Sequence, residues 1–137
     1  MRSTVTVIPE KFEDLLEWVT KAYAHVATIG PRGEPQNNPV WFDWDGSTIR
    51  FSQTTTRQKL KNVGREPRVA LSILDPENPG RYLEVRGKVI EVQPDPDKAF
   101  IDRMAQKYLG QERYLWDGPG DERVVVVVQP EHTSSMG

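Results

Sequence analysis

Residues 51–62 read FSQTTTRQKLKN. Thr54, Thr55 and Thr56 are followed within six positions by Arg57, Lys59, Lys61 and Asn62. The flanks are a strand pattern (TIRFSQ, 48–53) and a short helix pattern from Thr56 to Arg65, with Thr55 or Thr56 as N-cap. A helix N-terminus offers unpaired N–H groups and a positive dipole end. Arg57 can chelate a phosphate oxygen pair, Lys59 and Lys61 add point charges, and the threonines add hydroxyl donors. The chemistry is therefore anion binding, of a phosphate or a polycarboxylate tail. The same residues would equally serve as a solvated basic helix capped by threonine. No Walker-type or G-x-G-x-x-G loop is present, which excludes the common nucleotide sites.

Two further stretches offer ligand chemistry. PQNNPVWF (35–42) sets the amides Gln36, Asn37 and Asn38 between prolines. Proline interrupts a ladder, so Pro39, Val40 and Trp41 belong to an edge or a lining segment. NPGRY (78–82) reads as a bare turn in which Pro79 and Gly80 lead into Arg81 and Tyr82, open to a flat ligand. Trp41, with Tyr114 and Trp116 on a loop, can form the flat apolar wall of a substrate pocket. Packing at a barrel end would account for the same aromatics.

The elements that must position these groups follow from periodicity. The chain has 137 residues, 36% hydrophobic and 28% charged, which fits one globular domain over 1–137. A helix is expected over 9–23, with Phe12, Leu15, Leu16, Val19 and Tyr23 on one stripe. Strands are expected at 24–30, 36–44, 48–53, 68–74, 81–93 and 123–130, with a hairpin at Asp45-Gly46 and a turn over 75–80. Gly87, in mid-strand, marks a bulge. A second helix over 95–110 is capped by Asp95 and ended by Gly110. Short antiparallel strands favour a small β-barrel with flanking helices over a doubly wound sheet. VVVVV at 124–128 has two apolar faces, which either a dimer interface or a central barrel position would cover.

Composition excludes other classes. The net charge is −2, from 18 basic and 20 acidic residues, which disfavours a general nucleic-acid binder. No cysteine is present, so disulfides and thiol chemistry are absent. His25 and His132 are too far apart to suggest a metal cluster, and neither is assigned a catalytic role. No stretch reaches the roughly 18–20 apolar residues of a membrane span. The N-terminus lacks a signal-like apolar core, so a cytoplasmic location is expected. No Ser-His-Asp or paired-carboxylate pattern stands out.

The order G-x-P-x-x-x-P-V-W-F, T-T-x-R-x-K-x-x-N, P-R-V-A-L-S and G-R-Y-L-E-V-R-G resembles the pyridoxamine 5′-phosphate oxidase-like superfamily over about Val26 to Val92. Within it the chain is most similar to the deazaflavin-dependent oxidoreductases that use coenzyme F420. The resemblance implies a split β-barrel, an obligate homodimer and a cofactor in the groove between subunits. It implies that Arg57, Lys59 and Asn62 hold the phosphate and acidic tail, that Gln36 to Trp41 line the ring, and that Pro79 to Tyr82 approach from across the groove. Hydride transfer to a small unsaturated or oxidised molecule would follow, with no catalytic side chain. Flavin-mononucleotide oxidases of the superfamily carry basic residues where this chain has amides, and an Arg-Lys pair where Arg57 and Lys59 are spaced by one. That difference favours F420 over flavin mononucleotide (FMN). An FMN-dependent oxidoreductase, or a non-catalytic binder of flavin, deazaflavin or haem-related ligands, remains the alternative.

Overall fold

The computed structural model describes residues 7–137. The expectation about the first residues of the N-terminus falls on 1–6, outside the described residues. Seven strands form one antiparallel sheet: β1 (Ala24–Ile29), β2 (Pro35–Val40), β3 (Phe42–Trp44), β4 (Ile49–Thr54), β5 (Arg68–Asp75), β6 (Asn78–Pro94) and β7 (Arg123–Met136). Among the described residues two α-helices, α1 (Gln58–Arg65) and α2 (Ala99–Leu109), and one 3-10 helix accompany them.

The strand order is β2-β1-β5-β6-β7-β4-β3. Its two outermost strands, β2 and β3, are consecutive in the chain and separated by Trp41 alone. The sheet must therefore curl until its edges meet at that residue. The edges are joined covalently but not by a ladder, which makes a split β-barrel. Alternation decides what fills it: Ile49 and Phe51 of β4, Leu71 and Ile73 of β5, and Leu83 and Val85 of β6 are fully buried in the interior.

The valine run lies on β7, an inner strand paired with β6 on one side and β4 on the other. Val126 and Val128 face the interior, while Val125 and Val127 face Phe100, Ile101, Met104 and Tyr108 of α2. The second apolar face is thus covered within the chain by α2. At Gly87 the ladder shifts register, and a Cβ there would lie 2.0 Å from the Gln129 carbonyl oxygen. Only glycine permits that approach.

Several local expectations need correction. The helix over 9–23 is a 3-10 helix of Glu10–Leu16. Phe12, Leu15 and Leu16 are buried as the stripe requires, but Val19 and Tyr23 are exposed. The Asp14 carbonyl, which a longer helix would give to Trp18, instead accepts from Glu17 N–H and the Thr20 hydroxyl. The strand expected over 36–44 is broken at Trp41. The turn over 75–80 is shorter, because the Asp75 carboxylate accepts Glu77 N–H and Asn78 already pairs with Asp75. Pro79 to Tyr82 are therefore strand residues of β6. Neither Thr55 nor Thr56 caps α1: Arg57 N–H bonds the Thr54 carbonyl in a turn, and Arg57 becomes the N-cap, without a side-chain cap bond. Helix α2 begins later than expected, after Lys98 in a left-handed conformation, yet the Asp95 carboxylate accepts Phe100 N–H. Gly110 ends it, with φ of 68°. The C-terminal EHTSSM continues β7 against β6.

Candidate functional site

A cavity of about 440 Å³ opens where the sheet's two edges meet. That is the size of a small-molecule or cofactor site. Strand β2 contributes Gln36, Asn38, Pro39 and Val40, and the linking Trp41 follows. The end of β4 supplies Ser52 and Gln53, and the start of α1 supplies Arg57, Gln58 and Lys59. The remaining walls are Tyr23, Ile101 of α2, Tyr114 and Trp116 of the loop after α2, and Arg123 at the start of β7.

The charges are one-sided. Arg57, Lys59 and Arg123 line the cavity, and among the described residues no carboxylate does. Arg123 is already neutralised, its guanidinium bonding Asp117 at 2.8 and 2.9 Å and the Ser52 hydroxyl at 3.0 Å. The hydrogen bonds from Arg123 hold the Asp117 carboxyl below the usual carboxylate range, and Lys98 adds to this. Arg57 and Lys59 have no ion-pair partner among the described residues. Lys59 is only 6% exposed, with its ammonium 5.8 Å from the Phe51 ring centre. Burial, and secondarily the nearby Arg57 charge, pushes Lys59 down to about 8. A desolvated cation with no counter-ion, aimed at a cavity, calls for an anion from outside the chain. The first turn of α1, uncapped by any side chain, points the same way.

The opposite wall is aromatic. Trp41 lies flat on Tyr108, with ring centres 5.3 Å apart and an interplanar angle of 7°. Tyr114 meets Trp41 edge-on at 5.9 Å, and Trp116 meets Tyr114 edge-on at 5.4 Å. The Tyr108 hydroxyl fixes the seam: it accepts Phe42 N–H and donates to the Ala22 carbonyl at 2.6 Å. Burial raises its pKa well above the ordinary tyrosine value.

The sequence-predicted residues divide into three groups. Gln36, Asn38, Pro39, Val40, Trp41, Arg57, Lys59, Tyr114 and Trp116 come together around the cavity. Asn62 lies beneath it, 0% exposed, hydrogen-bonded to the amides that line it. The rest lie elsewhere. Asn37 points outward from β2 and Lys61 outward from α1, both exposed. Thr54 pairs with Arg123 in the β4–β7 ladder, Thr56 is exposed, and Thr55 lines a second hollow of about 270 Å³. Pro79, Gly80, Arg81 and Tyr82 do not line the cavity of their own chain. Arg81 is held by Asp14 at 2.7 Å and Asp75 at 3.1 Å, over the Phe12 ring.

Six lining residues escaped the sequence reading: Tyr23, Ser52, Gln53, Gln58, Ile101 and Arg123. Ser52, Gln53 and Gln58 sat inside the stretch 51–62 but were overshadowed by its cations. Arg123 arrives through the pairing of β7 with β4, which no local pattern announces.

Comparison with known proteins agrees with this architecture. No curated protein matches the chain. Among solved structures, an F420 reductase shares 45% identity with a TM-score of 0.82, covering 93% of this chain and 98% of its own. A conserved hypothetical protein from Mycobacterium tuberculosis shares 22% identity with a TM-score of 0.70, covering 99% of this chain and 89% of its own. Group A Streptococcus HupZ shares 20% identity with a TM-score of 0.65 over 93% of each chain. The last two speak to the fold alone. The model of the pyridoxamine 5′-phosphate oxidase family matches residues 8–137. With that match running through every strand of the curled sheet, the chain belongs to the pyridoxamine 5′-phosphate oxidase family.

Proposed function

We propose that this protein is an oxidoreductase that binds coenzyme F420 in the seam cavity and exchanges a hydride with a small unsaturated or oxidised organic molecule. The observation that carries the reading is Lys59, buried beside Arg57 with no carboxylate partner among the described residues. The F420 reductase at 45% identity supports the deazaflavin over other anionic cofactors.

The residues fit such a group. Arg57 and Lys59 bind its phosphate and acidic tail at the start of α1. Trp41 would offer its ring a flat apolar face, with Tyr114 standing edge-on beside it. Asn38 and Gln58 meet its polar edge. When bound, the deazaflavin supplies or accepts the hydride. No side chain of the cavity need act as a nucleophile. The functional unit is a homodimer in which Pro79 to Tyr82 of one copy border the other copy's cavity. No helix among the described residues is long and apolar enough to cross a membrane.

FMN is the second candidate, since the family is that of a flavin enzyme and an anion site would take its phosphate as well. The test is parallel titration of the purified protein with coenzyme F420 and with FMN, following fluorescence of the four tryptophans. Reduced cofactor is then mixed with a panel of acceptors. Stoichiometric F420 binding with turnover is expected. Preference for FMN would transfer the reading to the flavin. Binding without oxidation of any acceptor would make the protein a carrier, and silence with both cofactors would overturn the site.

A further inference from the structure

Four amides form a relay beneath and along the cavity. Gln58 Nε2 donates to Asn62 Oδ1 at 2.8 Å. Asn62 Nδ2 donates twice, to Gln36 Oε1 and to Thr28 Oγ1, each at 3.0 Å. Gln36 Nε2 then donates to Asn38 Oδ1 at 3.0 Å. Asn62 is 0% exposed and Thr28 1% exposed, whereas Gln36, Asn38 and Gln58 line the cavity.

We propose that Asn62 is a positioning residue that joins the β2 and α1 walls of the cavity through Gln36 and Gln58, and so fixes where these amides stand toward a ligand. This rests on the reading of the cavity as a ring-binding site. Asn62 is the amide of the relay withdrawn from the cavity, and it bonds both walls: it accepts from Gln58 at the start of α1 and donates to Gln36 of β2, while its second N–H is held by Thr28 of β1. Removing it would leave the lining amides Gln36 and Gln58 without the partner that joins them.

The consequence is a fixed placement. Gln36 and Gln58, each bonded to Asn62, stand at set positions on the β2 and α1 sides of the cavity, and their remaining amide positions are left for the polar edge of a ring. Asn62 need not touch the ligand to do this.

The test uses Asn62→Leu, which keeps the volume and removes the relay, and Thr28→Val, which removes one acceptor of Asn62. Coenzyme F420 and ring-free pyrophosphate are titrated separately. Asn62→Leu should weaken F420 about tenfold, the loss of roughly one well-made buried hydrogen bond. Pyrophosphate, held by Arg57 and Lys59, should bind as in the parent. Equal weakening of both probes, or of neither, overturns the proposal. The second arm needs no ligand. In nitrogen-15 spectra of the parent, both side-chain amide protons of Asn62 should exchange slowly with water, and in Thr28→Val one of them should exchange quickly. Fast exchange of either proton in the parent refutes the relay even if Asn62→Leu fails to fold. Slow exchange in a parent that binds no F420 would keep the relay and discard the cofactor reading.

Discussion

Replacing Lys59 by methionine should make the ligand-free protein more stable while removing its hold on an anion. Methionine has a similar unbranched reach, so the side chain's packing is largely preserved. What disappears is a charge at a site 6% exposed. Burial holds Lys59 at about 8 against an ordinary 10.5, a gap equivalent to about 3 kcal/mol. The lost contact with the Phe51 ring subtracts about 0.5–1 kcal/mol. A gain of about 2 kcal/mol is therefore expected at pH 6.5. Its pH dependence follows from which state holds the proton. Below pH 8 lysine is charged in both states, so the native state bears the full penalty. Between about 8 and 10.5 the native lysine loses its proton while the unfolded one keeps it, so parent stability rises with pH across that window. The advantage of Lys59→Met should shrink over the same range. Lys107, also pushed to about 8 by burial, contributes the same rise to both proteins and cancels in the difference. Urea denaturation at pH 6.5, 8 and 9.5 measures it, with pyrophosphate added in a second series to stabilise the parent alone. Parallel stability curves with no gain at pH 6.5 would refute the reasoning, because they would show the ammonium to be solvated.

Gly87→Ala should cost several kcal/mol or prevent folding, since its Cβ would meet a backbone carbonyl at 2.0 Å that cannot swing aside. A urea midpoint unchanged from the parent would show the β6 bulge to be adaptable. Tyr108→Phe removes the hydroxyl that joins Phe42 N–H to the Ala22 carbonyl, for an expected loss of about 1–3 kcal/mol. The Trp41 stack is retained in that variant, so cofactor affinity should fall far less than stability, as paired urea and fluorescence titrations would show.

The strands were legible where alternation was clean. Ile49 and Phe51 against Arg50 and Ser52 announce β4, and Asp45-Gly46 announces its turn. Gly87 announces the bulge in β6. Two of the cations of 51–62, Arg57 and Lys59, line the cavity, and a charge-dense joint is visible without any tertiary information. Helical spacing misled at 9–23, where only three of five stripe residues are buried and a hydroxyl competes for the backbone. The threonines misled too. Three in a row offer several turn geometries, and tertiary bonding of Thr55 N–H to the Glu122 carbonyl decides among them. The meeting of β2 with β3 was not legible, because it depends on strand order. That meeting brings Arg123, Ile101 and Tyr23 to the cavity from three distant parts of the chain.

The free edge of β2 has a consequence for solubility. Along an antiparallel strand, backbone groups point alternately to the paired neighbour and away from it. Pro35 and Pro39 pair with Ile29 and His25 of β1, and neither proline can donate a hydrogen bond. Both must therefore occupy outward-facing positions, where Asn37 lies between them and supplies the single outward N–H of that stretch. A stray strand seeking to extend the sheet would find two of every three donors missing. The rim of the cavity is thus guarded against self-templated aggregation by Pro35 and by Pro39, the second of which also lines the cavity wall.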